Sequence, residues 1–482
     1  METLQFKQQV NNNKKPKAIT AYNPRLTIVK VKPCCASKSP YIKGAYVKIL
    51  LKIGKIILKY ILIFIIVLLI TFGLLVATAK IPKQAIMENM QESVNFFKEN
   101  AGMDEIQKRR EYTGLHYYAD SILMNIIYCI DSEKPVESVM WARYYEIVKA
   151  DINNDFIKVV EKDKEPNQQY IRYWHGSMVI LRPLLVFFNF EQILLINKIT
   201  MWILAIILLV ILFKNSKTLA VAYIISMVMI AFPIVPMCLE YTWTFYIMLI
   251  ASILAILIEK KGDKHFLTLI FITGMLTCYF DFLTTEIITL FVPLVFVLYI
   301  RKKEGRISSF KEGFLLLIKA TVLWGIAYIG MWLAKWLLTS FIFHVNVIQY
   351  VKDNAMLRIN GLQGLTSYQE MYWGAIFKNW HNLYPINIVK RNSHLIIGVV
   401  VFIAIILVSF DWKNIKKKWM ALILLIMALA PYVRYLILAN HSYRHAFFTF
   451  RDQMITVICI VLIFAECLNY KMLFKEIKFS RR

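Results

Sequence analysis

Two arginines and two histidines stand close together in residues 440–451, "NHSYRHAFFTFR", between two apolar runs. Arginine binds phosphate through paired hydrogen bonds, and histidine donates to the same oxygens. Phenylalanines are interleaved with them, so the segment suits a phosphate or pyrophosphate carried on an isoprenoid chain. Anchoring to lipid headgroups, without a specific ligand, explains the same residue types. The candidate phosphate-binding residues of this segment are His441, Arg444, His445 and Arg451.

A second basic and aromatic stretch, "YIRYWHG" at 170–176, precedes an apolar stretch that is too short to span a membrane. This pattern predicts a helix in the membrane interface, with Tyr173 and Trp174 at headgroup depth. Arg172 and His175 are therefore further candidates for binding lipid phosphate. Simple extension of both side chains to water is the alternative.

The candidate catalytic carboxylate is Asp120, in "EYTGLHYYADSILMNIIYCID" at 111–131. The spacing of apolar residues predicts an amphipathic helix with Asp120 on its polar stripe. A carboxylate presented in this way can act as a general base or as a ligand of Mg²⁺ or Mn²⁺. A solvated acid, or one paired to a nearby base, fits the same pattern.

Three ionisable residues lie within apolar sequence: Asp281 and Glu286 in "CYFDFLTTEII", and Arg434 in "PYVRYL". Ionisable groups at membrane depth are costly and usually face a cavity or a charged partner. All three are candidates for lining a cavity. A structural ion pair between Asp281 and Arg434 is the alternative.

Membrane helices would have to position these residues. Hydrophobic residues make up 58% of the 482-residue chain, whereas soluble domains contain about 45–50%. A helix needs about 20 apolar residues to cross the hydrocarbon. The sequence predicts an all-α polytopic membrane protein with about ten transmembrane helices, near 56–79, 193–213, 218–236, 239–258, 266–283, 284–300, 313–340, 394–410, 420–438 and 453–469.

Lysines and arginines predict the orientation of these spans. Residues 1–55 carry 12 of them against one acid, and every second connection is also basic, as in "RKKEGR" at 301–306. Basic connections stay in the cytoplasm, so both termini are expected there. The abundance of Ile, Lys and Asn is typical of an AT-rich bacterial genome, which favours a bacterial plasma membrane. Because the net charge of +26 is spread over the tail and short loops, no nucleic-acid partner is expected.

The spans define the predicted organisation of the chain. Two extracytoplasmic loops with amphipathic helices are long enough to carry function. The predicted segments are a basic cytoplasmic tail (1–55), the first transmembrane helix (56–79), a large extracytoplasmic loop with interfacial helices (80–192), helices two to seven (193–340), a second extracytoplasmic loop (341–393), and helices eight to ten with a short basic C-terminus (394–482).

This layout resembles the GT-C superfamily of integral-membrane glycosyltransferases. The shared features are a cytoplasmic N-terminus, a long first outer loop, short alternating loops and a second long outer loop, over residues 56–393. The family's acid, often in a D/E pair, follows the first span closely. Here no DD, DxD or ExD pair does so, and Asp120 comes about forty residues after Ala79. The fragments "YADSILMN", "YFDFLT" and "HSYRHAFFTFR" also look like those of multipass proteins from low-GC Gram-positive bacteria, a similarity that implies no activity.

The GT-C resemblance implies inverting transfer from a polyprenyl-phosphate-linked sugar to a cell-envelope glycan or lipid on the outer face. Asp120 would deprotonate the acceptor hydroxyl, or polarise it through Mg²⁺ or Mn²⁺. The leaving phosphate would be bound by the arginines and histidines of residues 440–451, with Arg172 and His175 as reserve ligands.

Other classes of protein fit the same layout. They are a polymerase or ligase of lipid-linked glycans, a flippase or transporter, and a non-enzymatic envelope-assembly protein that binds a partner through 80–192. The sequence contains no Walker A loop, no GxGxxG and no HExxH, which argues against an ATP-driven pump or a zinc protease.

Overall fold

The computed structural model describes residues 40–100, 117–147, 152–361, 367–383 and 418–467. The chain divides into two units, 1–57 and 58–482. The predicted eighth span, 394–410, and the basic segments 1–39 and 468–482 lie outside the described residues.

The described residues are almost entirely helical, which confirms the all-α prediction. The predicted first outer loop, residues 80–192, contains α2 (Lys83–Glu99), α3 (Tyr118–Tyr128), α4 (Pro135–Trp141), α5 (Ile152–Lys162) and α6 (Met178–Leu184). It also contains a small antiparallel ribbon of β1 (Arg143–Tyr144) and β2 (Gln168–Gln169), in which Arg143 pairs with Gln169 and Tyr144 with Gln168.

The apolar runs form most of the remaining helices. Up to the second outer loop these are α1 (Pro40–Ala79), α7 (Phe190–Asn215), α8 (Lys217–Met229), α9 (Leu239–Ile258), α10 (Asp263–Phe280), α11 (Ile288–Lys303) and α12 (Phe310–Phe343). After them come α13 (Ile348–Asn360), α14 (Tyr368–Asn382), α15 (Trp419–Ala428), α16 (Ala430–Ile437), α17 (Ala439–Arg444), α18 (Ala446–Thr449) and α19 (Met454–Cys467). Short 3₁₀ helices cover Phe232–Met237, Glu259–Lys261 and Phe450–Gln453.

Six stretches of the described residues are long and apolar enough to cross a membrane. They are Leu50–Ala79, Phe190–Asn215, Leu239–Lys261, Phe310–Phe343, Trp419–Ile437 and Ala446–Cys467. Each coincides with a predicted span, and together they identify a membrane protein.

Three other predicted spans form shorter helices. Residues 218–236 divide into α8, with 13 residues, and a 3₁₀ helix. The predicted spans 266–283 and 284–300 become α10 and α11, with 18 and 16 residues. At 1.5 Å per residue, 16 residues reach only about 24 Å. The apolar runs are therefore longer than the helices that form within them.

Large apolar side chains are exposed along several of these helices, as expected where a protein faces lipid. They recur on α1, α7, α8 and α12, with Leu69, Ile206, Val228 and Ile326 between 54% and 64% exposed. In contrast, α11 is buried along almost its whole length. Exposed apolar faces on α1, α7, α8 and α12 thus contrast with the buried α11.

A glycine allows close packing between α10 and α12. A Cβ atom added to Gly274 would lie 2.5 Å from the carbonyl oxygen of Trp324. Small residues at such crossings let two membrane helices approach through their backbones. The approach places the end of α10, and the Asp281 turn that follows it, against the interior of the bundle.

The stretch 170–190 does not form the interfacial helix that its sequence predicted. Only α6 is helical, and Tyr173 and Trp174 are 3% and 1% exposed. Trp174 donates to the carbonyl of Met331 at 2.8 Å, and Lys335 donates to that of Val139 at 2.9 Å. These contacts anchor the first outer loop to α12. The aromatic residues therefore pack inside the protein, away from lipid headgroups.

Candidate functional site

A buried polar centre lies between residues of the segment 80–192, the α10–α11 connection and the C-terminal helices. Its charged groups come from parts of the chain far apart in sequence and interact electrostatically with one another. We define the polar centre by Asp120, Glu240, Asp281, Glu286, Arg358, Arg434, His441, His445, Arg451 and Asp452.

Asp120 lies in the first turn of α3, and its carboxylate joins that helix to α9. Its two oxygens accept the backbone N–H groups of Leu239 and Glu240 at 3.0 and 2.9 Å. Asp120 is 1% exposed, so it is not presented on an open polar face as its helical stripe predicted. Burial raises its pKa to about 7, and the two backbone donors act in the opposite direction. The group therefore titrates near neutral pH.

Glu240 brings a second carboxylate beside Asp120. Its Oε2 is buried and has no hydrogen-bond partner among the described residues. It interacts electrostatically with the carboxylates of Asp120 and Asp281 and with the guanidinium of Arg451. Glu240 therefore adds a second carboxylate beside Asp120, with one oxygen that could accept a hydrogen bond from a ligand.

Arg434 forms a buried ion-pair network. It donates to both oxygens of Glu286, at 2.9 and 3.1 Å, and its Nε lies 3.5 Å from Asp452. Its other donors reach Ser442 Oγ at 3.0 Å and the carbonyl of Leu283 at 2.7 Å. The predicted partner, Asp281, is thus replaced by Glu286 and Asp452.

Asp281 instead closes the turn that follows α10. It accepts the backbone N–H of Thr284 at 3.0 Å and its hydroxyl at 2.5 Å. Within this turn Leu283 has a left-handed φ of 66°, a conformation that costs free energy for a branched side chain. Its carbonyl is held by donors from Arg434 and His441. The turn therefore directs backbone and carboxylate oxygens into the polar centre.

The two histidines of the 440–451 segment contact an arginine of α13, in the predicted second outer loop. Arg358 Nη1 donates to His445 Nε2 at 3.1 Å and to His441 Nδ1 at 3.4 Å. His441 Nε2 donates to the carbonyl of Leu283 at 2.8 Å. Burial and the nearby His445 hold the pKa of His441 well below its usual range. His441 is consequently a neutral acceptor that orients Arg358.

The two arginines of the 440–451 segment have different surroundings. Arg451 is 1% exposed, lies 4.7 Å from the centre of the Tyr241 ring and donates to the carbonyl of Phe447 at 3.1 Å. Its Nε has no hydrogen-bond partner within the described ranges. Arg444, in contrast, is exposed.

Arg172 and His175 lie beside the polar centre. Arg172 donates to Asn354 at 2.5 Å, four residues before Arg358 on the same helix. His175 donates from Nε2 to the carbonyl of Tyr170 at 2.9 Å, and its ring lies 5.3 Å from that of Phe282. Because burial lowers its pKa to about 3, His175 is uncharged at neutral pH and cannot attract phosphate as a cation.

The surroundings of Asp120 do not fit the predicted Mg²⁺ or Mn²⁺ site. Both of its oxygens already accept backbone hydrogen bonds. No group of three or more His, Cys, Asp or Glu residues within the described part of the chain could hold a metal ion, whereas these cations require several oxygen ligands.

Two members of the polar centre, Arg358 and Asp452, are not among the candidates from the sequence. Glu240 gives only a weak sequence signal, because water could solvate an acid in the short connection predicted before 239. Asp452 directly follows Arg451 at the start of an apolar run. An acid in that position carries the same cost that singled out Asp281. Arg358 has no comparable signal, since arginine is ordinary in a polar loop.

Comparison with protein-family models, curated proteins and solved structures gives no match to this chain.

Proposed function

We propose that this protein is a membrane glycosyltransferase of the GT-C type, acting at the outer face of a bacterial plasma membrane. In this proposal the chain has about ten spans with both termini in the cytoplasm. The donor is a sugar on polyprenyl phosphate, and the acceptor is a glycan or lipid of the cell envelope. The polar centre supports this function because it combines carboxylates with guanidinium groups at the ends of apolar helices.

The carboxylates supply the candidate base. Asp120 titrates near neutral pH, and the adjoining Glu240 has a buried oxygen without a hydrogen-bond partner among the described residues. The acceptor oxygen would attack the anomeric carbon as its proton passes to Asp120. Glu240 would orient the acceptor. A general base contributes a factor of about 10²–10⁴ in rate.

The arginines supply the candidate phosphate-binding groups. Arg358 uses one nitrogen to contact the histidine pair, and a guanidinium has five N–H donors. Arg451 adds a second positive charge on the side of Glu240. When the bond between the anomeric carbon and the phosphate oxygen breaks, its electron pair stays on that oxygen. Guanidinium groups preorganised around this oxygen stabilise the developing charge.

Transfer of labelled sugar by the purified protein in lipid, from a panel of polyprenyl-phosphate donors, tests the proposal. We expect Asp120→Asn and Arg358→Gln each to reduce transfer at least 100-fold while the protein remains folded. The matched controls are Glu133→Gln, just after α3, and Lys352→Gln, on the same helix as Arg358, both exposed in the wild type. Both controls should retain wild-type turnover.

The pH profile separates a catalytic from a structural role of Asp120. A base must be deprotonated, so transfer should rise with pH and level off above about pH 7. Full transfer by Asp120→Asn would refute the base assignment. Donor binding without turnover by the wild type would instead indicate a flippase, or a polymerase that requires an oligosaccharide donor. If the wild type shows no donor binding and no turnover across the panel, the transferase proposal is contradicted and an assembly role is favoured.

A further inference from the structure

A second cluster of charges lines a cavity at the predicted cytoplasmic ends of α7, α8, α11 and α19. The cavity has a volume of about 440 Å³, within the range of small-molecule sites. Its lining contains one acid, Glu466, and four lysines, Lys214, Lys217, Lys302 and Lys303. The cavity is therefore strongly basic, and the transfer proposed above does not use it.

Two of these lysines are held by specific contacts. Lys302 donates to both oxygens of Glu466, at 2.9 and 2.7 Å, so its charge is compensated within the protein. Lys303 donates to the carbonyl of Asn215 at 3.0 Å, which links the end of α11 to that of α7. The contact places an ammonium group beside Lys214 and Lys217 without neutralising it.

The start of α8 adds positive potential to the same cavity. Ser216 precedes this 13-residue helix and makes no side-chain capping bond. The first-turn N–H groups of a helix have no partner within the helix, and they carry a partial positive charge. Ser216, Lys217 and Thr218 all line the cavity. The N-terminus of α8 and three lysines thus all contribute positive potential to the same cavity.

The neighbouring surface is suited to acyl chains. Phe213 lines the cavity and is 56% exposed. From this point Val210 and Ile206 continue along α7, and Val221 and Ile225 along α8, each at least 40% exposed. An anionic group attached to acyl chains could therefore bind in the cavity while its chains contact this apolar surface. A free anion would not gain these apolar contacts.

We propose that this cavity binds the phosphate of an anionic phospholipid from the cytoplasmic leaflet, with Lys214, Lys217 and Lys303 as its binding cations. Basic pockets between membrane helices on the cytoplasmic side bind such headgroups. The phosphodiester interacts with the lysines and the α8 terminus, and the acyl chains lie along α7 and α8. The site depends on neither the sugar nor the acceptor of the outer-face reaction.

Native mass spectrometry of the full-length protein with dioleoylphosphatidylglycerol and dioleoylphosphatidylcholine tests this site. We expect preferential binding of phosphatidylglycerol. A variant combining Lys214→Gln, Lys217→Gln and Lys303→Gln should weaken that binding about 100-fold, since each lysine near a membrane surface contributes about a factor of five. The control replaces three exposed lysines of the next basic connection, Lys260, Lys261 and Lys264, by glutamine.

Thermal unfolding should first establish that both triple variants are folded. Equal losses in the two variants, or equal binding of the two lipids, would overturn the proposal. Inorganic phosphate at millimolar concentration should leave phosphatidylglycerol bound. Displacement of the lipid by phosphate would identify a free-anion site and also overturn the lipid assignment.

Discussion

Replacing Arg434 by methionine tests whether the ion-pair network holds the polar centre together. Methionine preserves much of the apolar stem but removes the donors to Glu286, Ser442 and Leu283. Arg434 and Glu286 have side chains 5% and 6% exposed, and Asp452 is fully buried. The substitution therefore leaves two buried carboxylates without their countercharge.

Breaking a buried ion pair by removing one partner costs about 3–5 kcal/mol. Since 1.36 kcal/mol corresponds to a factor of ten, the unfolded fraction should increase by about two to four orders of magnitude. Changing Glu286→Gln in the same protein removes one of the stranded charges. The double variant should thus be more stable than the sum of the single losses predicts, by at least about 2 kcal/mol.

Reversible unfolding in mixed detergent micelles, followed by helical circular dichroism, measures these free energies. Arg143→Met is the matched control, because Arg143 forms an exposed ion pair with Glu137 at 2.9 Å. Exposed pairs contribute about 0–1 kcal/mol. A loss below 1 kcal/mol for Arg434→Met, or losses that simply add in the double variant, would refute a stabilising network.

Three further substitutions test other contacts. Gly274→Leu should separate α10 from α12 and lower the melting temperature, whereas Gly325→Ala, where an added Cβ meets no atom within 4 Å, should leave it nearly unchanged; equal melting temperatures would contradict the close approach. Lys335→Met should destabilise the protein by about 1–3 kcal/mol, because it removes the donor to the buried Val139 carbonyl; an unchanged free energy of unfolding would show that this contact does not anchor the outer loop. The pKa of Asp120 is raised from 3.8 to about 7 in the folded state, so between these pH values the folded protein holds a proton that the unfolded chain has released. The contribution of Asp120 to the free energy of unfolding therefore falls as pH rises from about 4 to 7. Asp120→Asn should flatten that part of the pH–stability curve, and an unaltered slope would contradict the raised pKa of Asp120.

The membrane helices could be predicted from sequence because a long apolar run is a local property. Three predicted spans, 218–236, 266–283 and 284–300, form helices that do not extend over the whole apolar run. The turn that follows α10 interrupts the run between 266 and 300. Within the turn Asp281 accepts the backbone N–H of Thr284, and Arg434, which is distant in sequence, donates to the carbonyl of Leu283. A hydropathy window averages across such a turn and reports two full spans.

The polar centre was predictable only in part. The free-energy cost of an ionisable residue in apolar sequence points to that residue but not to its partner. Glu286 and Arg434 were singled out by their cost in apolar sequence. Their pairing depends on packing between segments far apart along the chain. The partners of Asp120 are backbone N–H groups, which every residue except proline possesses. No residue-type signal therefore points to that contact.

The long sequence separation within the polar centre has a consequence for biogenesis. Glu286 precedes its partner Arg434 by 148 positions. At synthesis rates of about 5–20 residues per second, the ribosome takes about 7–30 s to supply the arginine. During that interval the nascent chain carries a carboxylate, in the turn before α11, without its arginine partner. Insertion of the early helices is thus provisional until the C-terminal helices arrive, and chains truncated before Arg434 should be substrates for membrane quality-control proteases.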